Sequence, residues 1–187
     1  MINKVDHLIV AVKDIEEAEN NFSKLFGAAP VWTGEHPELG TVNSIFNFSN
    51  IYFELLASKG EGAGADFVND RISNQGEGLA GLVLGADRLD LIRKKILDKG
   101  YPIGEISEGY ARDNDGNIRK WQNLFLPTSL SRGIFSFLIK HTEGKLIMPN
   151  NLKNSSVKKL DHVVINTNDP DGFIEVYGNV FDIRLAL

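Results

Sequence analysis

Two residues able to act chemically on a small molecule lie inside apolar, strand-like segments. His7 lies in the run Val5–Val12. Glu54 lies in the run Ile51–Ala57. A carboxylate in an apolar strand costs free energy unless it is paired or bound to a cation, and an imidazole is a good ligand for zinc, iron or nickel. Two interpretations stay open: the pair acts on a substrate, with or without a metal, or His7 is hydrogen-bonded at a strand edge and Glu54 is solvated or paired with Arg119.

Strand alternation predicts where these two side chains point. In the first segment, His7 lies opposite a continuously apolar face that should contact the following helix, so His7 should line a cavity. That apolar face carries Leu8, Val10 and Val12. In the second segment, Glu54 shares its face with Tyr52.

Aromatic and basic residues elsewhere could complete such a site. Tyr52 and Trp121 could give the cavity an aromatic lining, although most aromatic residues in strands belong to the core. Arg119 flanks a hairpin and could hold an anionic substrate, or it could lie on a solvated face of that hairpin.

The chain contains an internal repeat. A shift of 155 residues superimposes Asp6-His7 on Asp161-His162. A weaker copy, at a shift of 73 residues, places Ala80 at the position of His7. Each copy reads as a β-branched, apolar strand followed by an amphipathic helix.

Three more strand-like runs follow each of the first two helices. The order β, α and three strands predicts an α+β domain over residues 1–150. Its two βαβββ modules span about residues 3–58 and 78–142, and a turn signal at 113–117 separates two strands of the second module.

Residues 151–187 read as the start of a third, incomplete module, with a strand, a helix and a last strand over 181–187. Such a fragment cannot bury its own apolar helix stripe, and a lone strand leaves an open edge. We therefore expect either a chain that is shortened relative to a complete third module, or docking on module one or on another subunit. Docking could bring His162 towards a cavity and would favour a homodimer.

The order of these features resembles the vicinal oxygen chelate superfamily (glyoxalase, bleomycin-resistance and dioxygenase proteins), and most closely its glyoxalase-like branch. The resemblance covers roughly residues 3–145. It rests on the runs 5–12, 34–37, 40–43, 51–56, 78–81, 112–121 and 135–139. It implies that paired modules form a curved mixed sheet around a cup that holds a small-molecule site. Many members of that superfamily bind a divalent metal there, through ligands from the first and fourth strands.

The resemblance also implies roles for individual residues. His7 and Glu54 would be metal ligands, with Glu54 catalytic, and the metal would be zinc, iron, manganese or nickel. The residues implied to bind substrate are His36, Asn43, Tyr52, Trp121 and Arg119. The second module breaks the ligand set, because Ala80 and Phe137 stand at the ligand positions and cannot bind a metal. Either no metal binds, or a ligand comes from elsewhere. His162 is the obvious candidate and His36 is another, although His36 could also be a polar loop residue.

Two functions follow from the resemblance. One is an enzyme of the lyase, isomerase or dioxygenase type, possibly dependent on a divalent metal. The alternative is a non-catalytic small-molecule or drug-binding protein of the bleomycin-resistance type. The missing ligands in the second module favour binding, and the presence of both His7 and Glu54 favours catalysis.

The composition limits the classes of molecule that the protein could bind. The 187-residue chain carries a net charge of −5 and has no cysteine, which argues against nucleic acid and excludes disulfides and thiolate metal sites. It has no apolar run of membrane-spanning length and starts without a basic-then-apolar signal segment. We therefore expect a cytoplasmic protein whose partner is a small molecule rather than nucleic acid or a membrane.

Overall fold

The computed structural model describes residues 1–113, 116–150 and 152–184. Module one comprises β1 (Ile2–Ala11), α1 (Ile15–Phe26), β2 (Trp32–His36), β3 (Thr41–Asn47) and β4 (Tyr52–Ser58). Helix α1 begins directly after Asp14, because the Asp14 carboxylate accepts the backbone N–H of Glu17 at 2.9 Å and so satisfies one free donor of the first turn.

Module two repeats the same order after a connecting helix, α2 (Ala63–Gln75). Its elements are β5 (Gly78–Ala86), α3 (Leu89–Asp98), β6 (Ser107–Asp113), β7 (Ile118–Phe125), the short α4 (Thr128–Ser131) and β8 (Phe135–Glu143). Two residues of the predicted turn at 113–117, numbers 114 and 115, lie outside the described residues.

The eight strands form one closed sheet in the order β1-β4-β3-β2-β6-β7-β8-β5. Within each module the first strand runs parallel to the last, and the two modules join through the antiparallel pair β1–β5 and the short pair β2–β6. The prediction of an α+β fold with paired βαβββ modules in a curved mixed sheet is confirmed.

The alternating faces of the strands separate the core from the cup. Outward residues such as Leu8 and Leu84 are buried in a continuous apolar cluster that includes residues of α1 and α3. Inward residues of the same strands, such as Ile9 and Val83, pack inside the barrel. Each strand therefore presents one face to the helices and the other to the interior.

The chain after β8 differs from its prediction. No strand forms over residues 152–184, although the repeat predicts one over 160–169. A closed barrel offers no free strand edge for pairing, and the segment instead bonds to the turn before β4. The Asn50 amide donates to the Leu160 carbonyl at 2.8 Å and accepts its N–H at 3.1 Å.

The predicted helix of this segment does form, but its described side-chain hydrogen bonds join it to α3 and α4 of module two of the same chain, not to module one as expected. It consists of α5 (Pro170–Phe173) and a π-helical stretch, Ile174–Val180. Val176 and Tyr177 are buried in the main apolar cluster, and the Tyr177 hydroxyl donates to the Ser131 carbonyl at 3.2 Å. The predicted last strand, 181–187, is not formed at 181–184, and its other residues lie outside the described part.

No helix in the described part of the chain is long and apolar enough to cross a lipid bilayer.

Candidate functional site

The inner face of the barrel encloses a cavity of about 510 Å³. This volume suits a small organic molecule. One wall is apolar and comes from both modules, with Ile9, Leu56, Phe135, Phe137 and Ile139. The polar residues of the cavity gather mainly on module one and at β7.

Strand β1 places His7 at this cavity and contains a β-bulge directly before it. The β1–β5 pairing shifts register between Val5 and His7, and such a bulge turns side chains out of strict alternation. As a result both Asp6 and His7 are buried, at 1% and 2% exposure. The His7 ring stacks on Tyr52, with ring centroids 4.2 Å apart and planes 13° apart.

A buried carboxylate holds two imidazoles. The Asp6 Oδ1 lies 2.9 Å from Nδ1 of His7 and 3.0 Å from Nε2 of His141. Its Oδ2 lies 2.8 Å from the ammonium group of Lys4. Burial alone would raise the pKa of Asp6, but the hydrogen bonds and charges of His141 and His7 outweigh burial and hold that pKa well below its ordinary value. Since a carboxylate only accepts hydrogen bonds, both imidazoles direct a proton at Asp6.

Glu54 lies next to the other nitrogen of the same ring. Its Oε1 accepts the Asn43 amide at 2.7 Å, and its Oε2 lies 3.4 Å from Nε2 of His7. Glu54 is only 8% exposed, and its strand neighbour Ile9 supplies an apolar surface beside it. One carboxylate oxygen is thus fixed, while the other faces His7 and the cavity.

Arg119 provides the positive charge of the cavity. It is 5% exposed, and its guanidinium carbon lies 5.4 Å from the centre of the Trp32 ring, 5.5 Å from Tyr52 and 5.9 Å from Trp121. These are cation–π contacts. The interpretation that Arg119 neutralises Glu54 is not what the structure shows, because no ion pair within 4.0 Å joins them among the described residues.

Burial shifts the pKa values of His36 and Tyr52, on which the charges of Glu54 and Arg119 also act. Burial lowers the pKa of His36, and the Arg119 charge acts in the same direction against Glu54. Burial, followed by the charges of Asp6 and Glu54, raises the pKa of Tyr52 well above its ordinary value. The Nδ1 of His36 lies 3.1 Å from the Thr41 hydroxyl. The His36 imidazole and the Tyr52 hydroxyl are therefore both neutral at pH 7.

The structure brings seven of the predicted site residues to one cavity and leaves one outside. The seven that line it are His7, His36, Asn43, Tyr52, Glu54, Arg119 and Trp121. His162 instead lies on the surface with its side chain 70% exposed, where its ring contacts Asp161 at 3.0 Å. The Asp161-His162 motif therefore repeats the sequence of Asp6-His7 but lies on the surface, whereas Asp6-His7 is buried.

Sequence reasoning missed Asp6 and His141. The signal for Asp6 was visible as a carboxylate directly before the candidate histidine, but only the bulge in β1 buries it. His141 lies 135 residues from Asp6, on the inward face of β8 two residues beyond Ile139. Only the closure of the sheet brings these residues together.

The register of the strands shows which residue of module two corresponds to Glu54. In module one Ile9 pairs with Glu54, and in module two Val83 pairs with Phe137. Ile9, Val83 and Phe137 all pack inside the barrel. Phe137 therefore stands at the position of Glu54, as the sequence repeat predicts.

The residue that corresponds to His7 is not Ala80 but Gly81. His7 precedes Ile9 by two residues, and Gly81 precedes Val83 by two. Ala80 lies on the opposite face of β5, because neighbouring residues of a strand point to opposite sides. The shift of 73 residues was one residue short, although neither residue type can bind a metal.

The residues of the cavity do not complete a metal site. The 3.4 Å between His7 Nε2 and Glu54 Oε2 would suit two ligands of one cation. Catalytic zinc sites take three protein ligands, however, and Gly81 and Phe137 supply none. No group of three or more His, Cys, Asp or Glu in the described part of the chain could hold a metal ion.

Comparisons with known proteins agree with this architecture. The sequence model of the family described as "Glyoxalase-like domain" matches residues 5–181. No curated protein sequence matches the chain.

Several solved structures have the same fold. A Streptomyces coelicolor methylmalonyl-CoA epimerase variant in complex with 2-nitronate-propionyl-CoA is 20% identical, covers 74% of this chain and 94% of its own, and has a TM-score of 0.58. A hypothetical protein from Bacillus halodurans C-125 is 19% identical, with 76% and 96% coverage and a TM-score of 0.62. The methylmalonyl-CoA epimerase of Mycobacterium tuberculosis is 17% identical, with 74% and 87% coverage and a TM-score of 0.58.

At these identities the solved structures show the fold alone. The family match, in contrast, spans nearly the whole chain, and it agrees with the closed sheet of two βαβββ modules. The chain belongs to the glyoxalase-like domain family of the vicinal oxygen chelate superfamily.

Proposed function

We propose that this chain is a small-molecule enzyme of the isomerase or lyase type, in which Glu54 takes a proton from a carbon next to a carbonyl group. The observation that carries the proposal is the burial and hydrogen bonding of the Glu54 side chain. Its carboxylate is buried in an apolar cavity, with one oxygen held by Asn43 and the other facing His7. A buried carboxylate with one oxygen free towards a cavity is suited to general base catalysis.

The neighbouring residues support proton movement in both directions. When the substrate C–H bond breaks, the proton goes to Oε2 of Glu54, and the electron pair moves into the substrate carbonyl as an enolate. The ring of His7 can accept that proton at Nε2, because Asp6 holds the Nδ1 proton and stabilises the imidazolium. Return of the proton to a neighbouring carbon or oxygen atom isomerises the substrate. Epimerisation would need a proton to reach the opposite face of the same carbon, so the enolate would have to turn over in the cavity before the proton returns.

The ligand set favours this chemistry over dioxygenation. A ring-cleaving dioxygenase needs a redox metal, and non-haem iron oxygenases of the two-histidine, one-carboxylate type take three protein ligands. His7 and Glu54 offer two, and the corresponding residues Gly81 and Phe137 offer none. Proton transfer by Glu54 needs no metal.

The alternative function is plain binding, as in the drug-binding members of the superfamily. The aromatic wall favours it: Phe125 and Phe135 lie 5.1 Å and 5.9 Å from Phe137, measured between ring centroids. Such a wall can hold an apolar ligand without any reaction. It does not explain why Glu54 and His7 are buried side by side.

Proton exchange with solvent separates the two functions. We would incubate the protein in D₂O with a panel of 2-oxo acids, hydroxyketones and thioesters, and follow loss of the α-proton by NMR. The wild type should exchange the α-proton of at least one compound, and Glu54→Gln should lower that rate by about 100-fold or more. The control is Glu16→Gln, which changes an exposed glutamate of α1 that does not line the cavity and should leave the rate unchanged.

Two further outcomes are decisive. Dialysis against a chelator should leave the exchange rate unchanged, and complete loss with recovery on adding one divalent metal would refute the metal-free mechanism. Saturable binding of a compound without exchange of any α-proton would establish the binding protein instead.

A further inference from the structure

We propose that this cavity takes a free organic carboxylate and that Arg119 binds the carboxylate group. The inference rests on the proposed function and names the class of its substrate. It starts from an imbalance of charge inside the barrel: Arg119 is nearly inaccessible to solvent, and no carboxylate of the described residues lies within ion-pair distance of it.

The other arginines with described contacts do have carboxylate or backbone carbonyl partners. Arg88, Arg93 and Arg132 each pair with a carboxylate. Arg71 donates to the backbone carbonyl groups of Gly76 and Leu79. A buried cation is costly unless an anion or hydrogen-bond acceptors compensate it. Among the described residues, the guanidinium of Arg119 has the neutral Tyr52 hydroxyl as a side-chain acceptor and three aromatic rings around it, but no negative charge within ion-pair distance. A bound anion would supply the missing partner.

The shape of the group favours a carboxylate. A single guanidinium presents a planar fork that matches a carboxylate with two parallel hydrogen bonds. No lysine lines this cavity, and its only other basic side chains in the described part are those of His7 and His36. A phosphate dianion would keep half of its charge uncompensated, with Glu54 in the same cavity.

The mouth of the cavity argues for a small free acid rather than a ligand with a polyphosphate tail. The two charged residues that line the cavity and are exposed are both acidic, Glu38 and Glu108. They would repel a polyphosphate. Arg119, the one arginine or lysine among the described residues that line this cavity, is therefore matched to a ligand with one negative charge.

Arg119 and Glu54 are placed to act on the two ends of one molecule. Both charges act on His36 and on Tyr52, yet the two do not pair with each other. A carboxylate on Arg119 would leave the neighbouring carbon atoms of the ligand among these rings, on the side of Glu54. The apolar wall at Ile9 and Phe137 would cover an aliphatic body.

The chain carries its own reporter for this interaction. Its two tryptophans are Trp32 and Trp121, and both lie within 6 Å of the Arg119 guanidinium. We would titrate the protein with 3-methylbutanoate, with the neutral isostere 3-methylbutanamide and with isobutyl phosphate, and follow tryptophan fluorescence. The wild type should bind the carboxylate about 10- to 100-fold more tightly than the amide, as for one charge-assisted contact.

Variants of neighbouring cations assign the effect. Arg119→Met should abolish the preference for the carboxylate. Lys120→Met should keep it, since Lys120 is the next residue of the same strand but points outward and pairs with Glu143 at 2.6 Å. If Arg119→Met fails to fold, as judged by circular dichroism, Arg119→Lys keeps the charge without the fork and should retain part of the preference.

The outcomes separate this inference from the proposed function. An equal affinity of the wild type for acid and amide, a preference that survives in Arg119→Met, or tighter binding of the phosphate overturns the inference. Glu54→Gln should still bind the carboxylate while losing proton exchange. Carboxylate binding through Arg119 without any exchange would overturn the function alone, and exchange without carboxylate binding would overturn the inference alone.

Discussion

The chain contains two copies of the same Asp-His contact in opposite environments, which permits a matched test of the buried network. In the first copy Asp6 meets His7 at 2.9 Å with both side chains almost fully buried. In the second, Asp161 meets His162 at 3.0 Å with side chains 80% and 70% exposed. We compare Asp6→Asn with Asp161→Asn.

The expected cost of Asp6→Asn follows from its contacts. The substitution removes the charge that faces two imidazoles and the half-exposed ammonium of Lys4. Removing one partner of a buried ionic network costs about 3–5 kcal/mol, and we expect the lower end because Lys4 can turn to solvent. Asp161→Asn should leave the free energy of unfolding unchanged, because an exposed pair contributes little.

The pH dependence of the free energy of unfolding gives an independent test of the role of Asp6. The folded protein holds the pKa of Asp6 below its ordinary value, so the ionised form stabilises the fold above the unfolded pKa of about 4. This contribution is lost as the pH falls below that value. Denaturant unfolding followed by circular dichroism at pH 7 and pH 3.5 should show a difference between wild type and Asp6→Asn that shrinks in acid. Equal stability of Asp6→Asn and Asp161→Asn at pH 7 would refute the reasoning.

Two further changes test other parts of the fold. Burial raises the pKa of Tyr177 to about 12, so the unfolded chain ionises first and the wild type should lose up to about 3 kcal/mol of stability between pH 10 and 12. Tyr177→Phe should lose less stability over this range by that amount, with the remaining alkaline loss due to groups such as Tyr52, and an identical pH profile would contradict the assignment. Gly40→Ala should cost at least about 2 kcal/mol, because Gly40 has φ +65° and an added Cβ would collide with the Glu61 carbonyl. Gly100→Ala, at φ +83° in open space, should cost less in the same denaturant titration.

The fold could be predicted because its signals are local and repeated. The capping carboxylate at Asp14 and the alternation in β1 each act over a few residues, and the same order of elements occurs twice. The strand predicted over 160–169 has the same local signals as β1. It fails because a strand needs a partner edge, and the closure of a sheet is not visible in the segment itself.

The site could be predicted only where one residue contradicts its surroundings. A glutamate in an apolar strand and a histidine on the inward face of β1 are such contradictions. The partners of the site depend on the register between distant strands. Asp6 needed a bulge, His141 needed the closure of β8 against β1, and the isolation of Arg119 from carboxylates is a property of the whole cavity.

The two modules have become unequal halves of one site. Module one keeps His7 and Glu54, whereas the corresponding positions of module two carry Gly81 and Phe137. Gly81 is not a vacancy for a ligand, because an added Cβ would stand 3.0 Å from the Phe135 ring and 3.3 Å from Ile9. At these two positions module two thus presents a packed apolar surface, although its strand β7 also contributes Arg119 to the cavity. A substrate in this cup meets the proton-transfer groups of module one on one side and, at Gly81 and Phe137, an inert surface on the other, and this difference can fix which face of a carbon loses its proton.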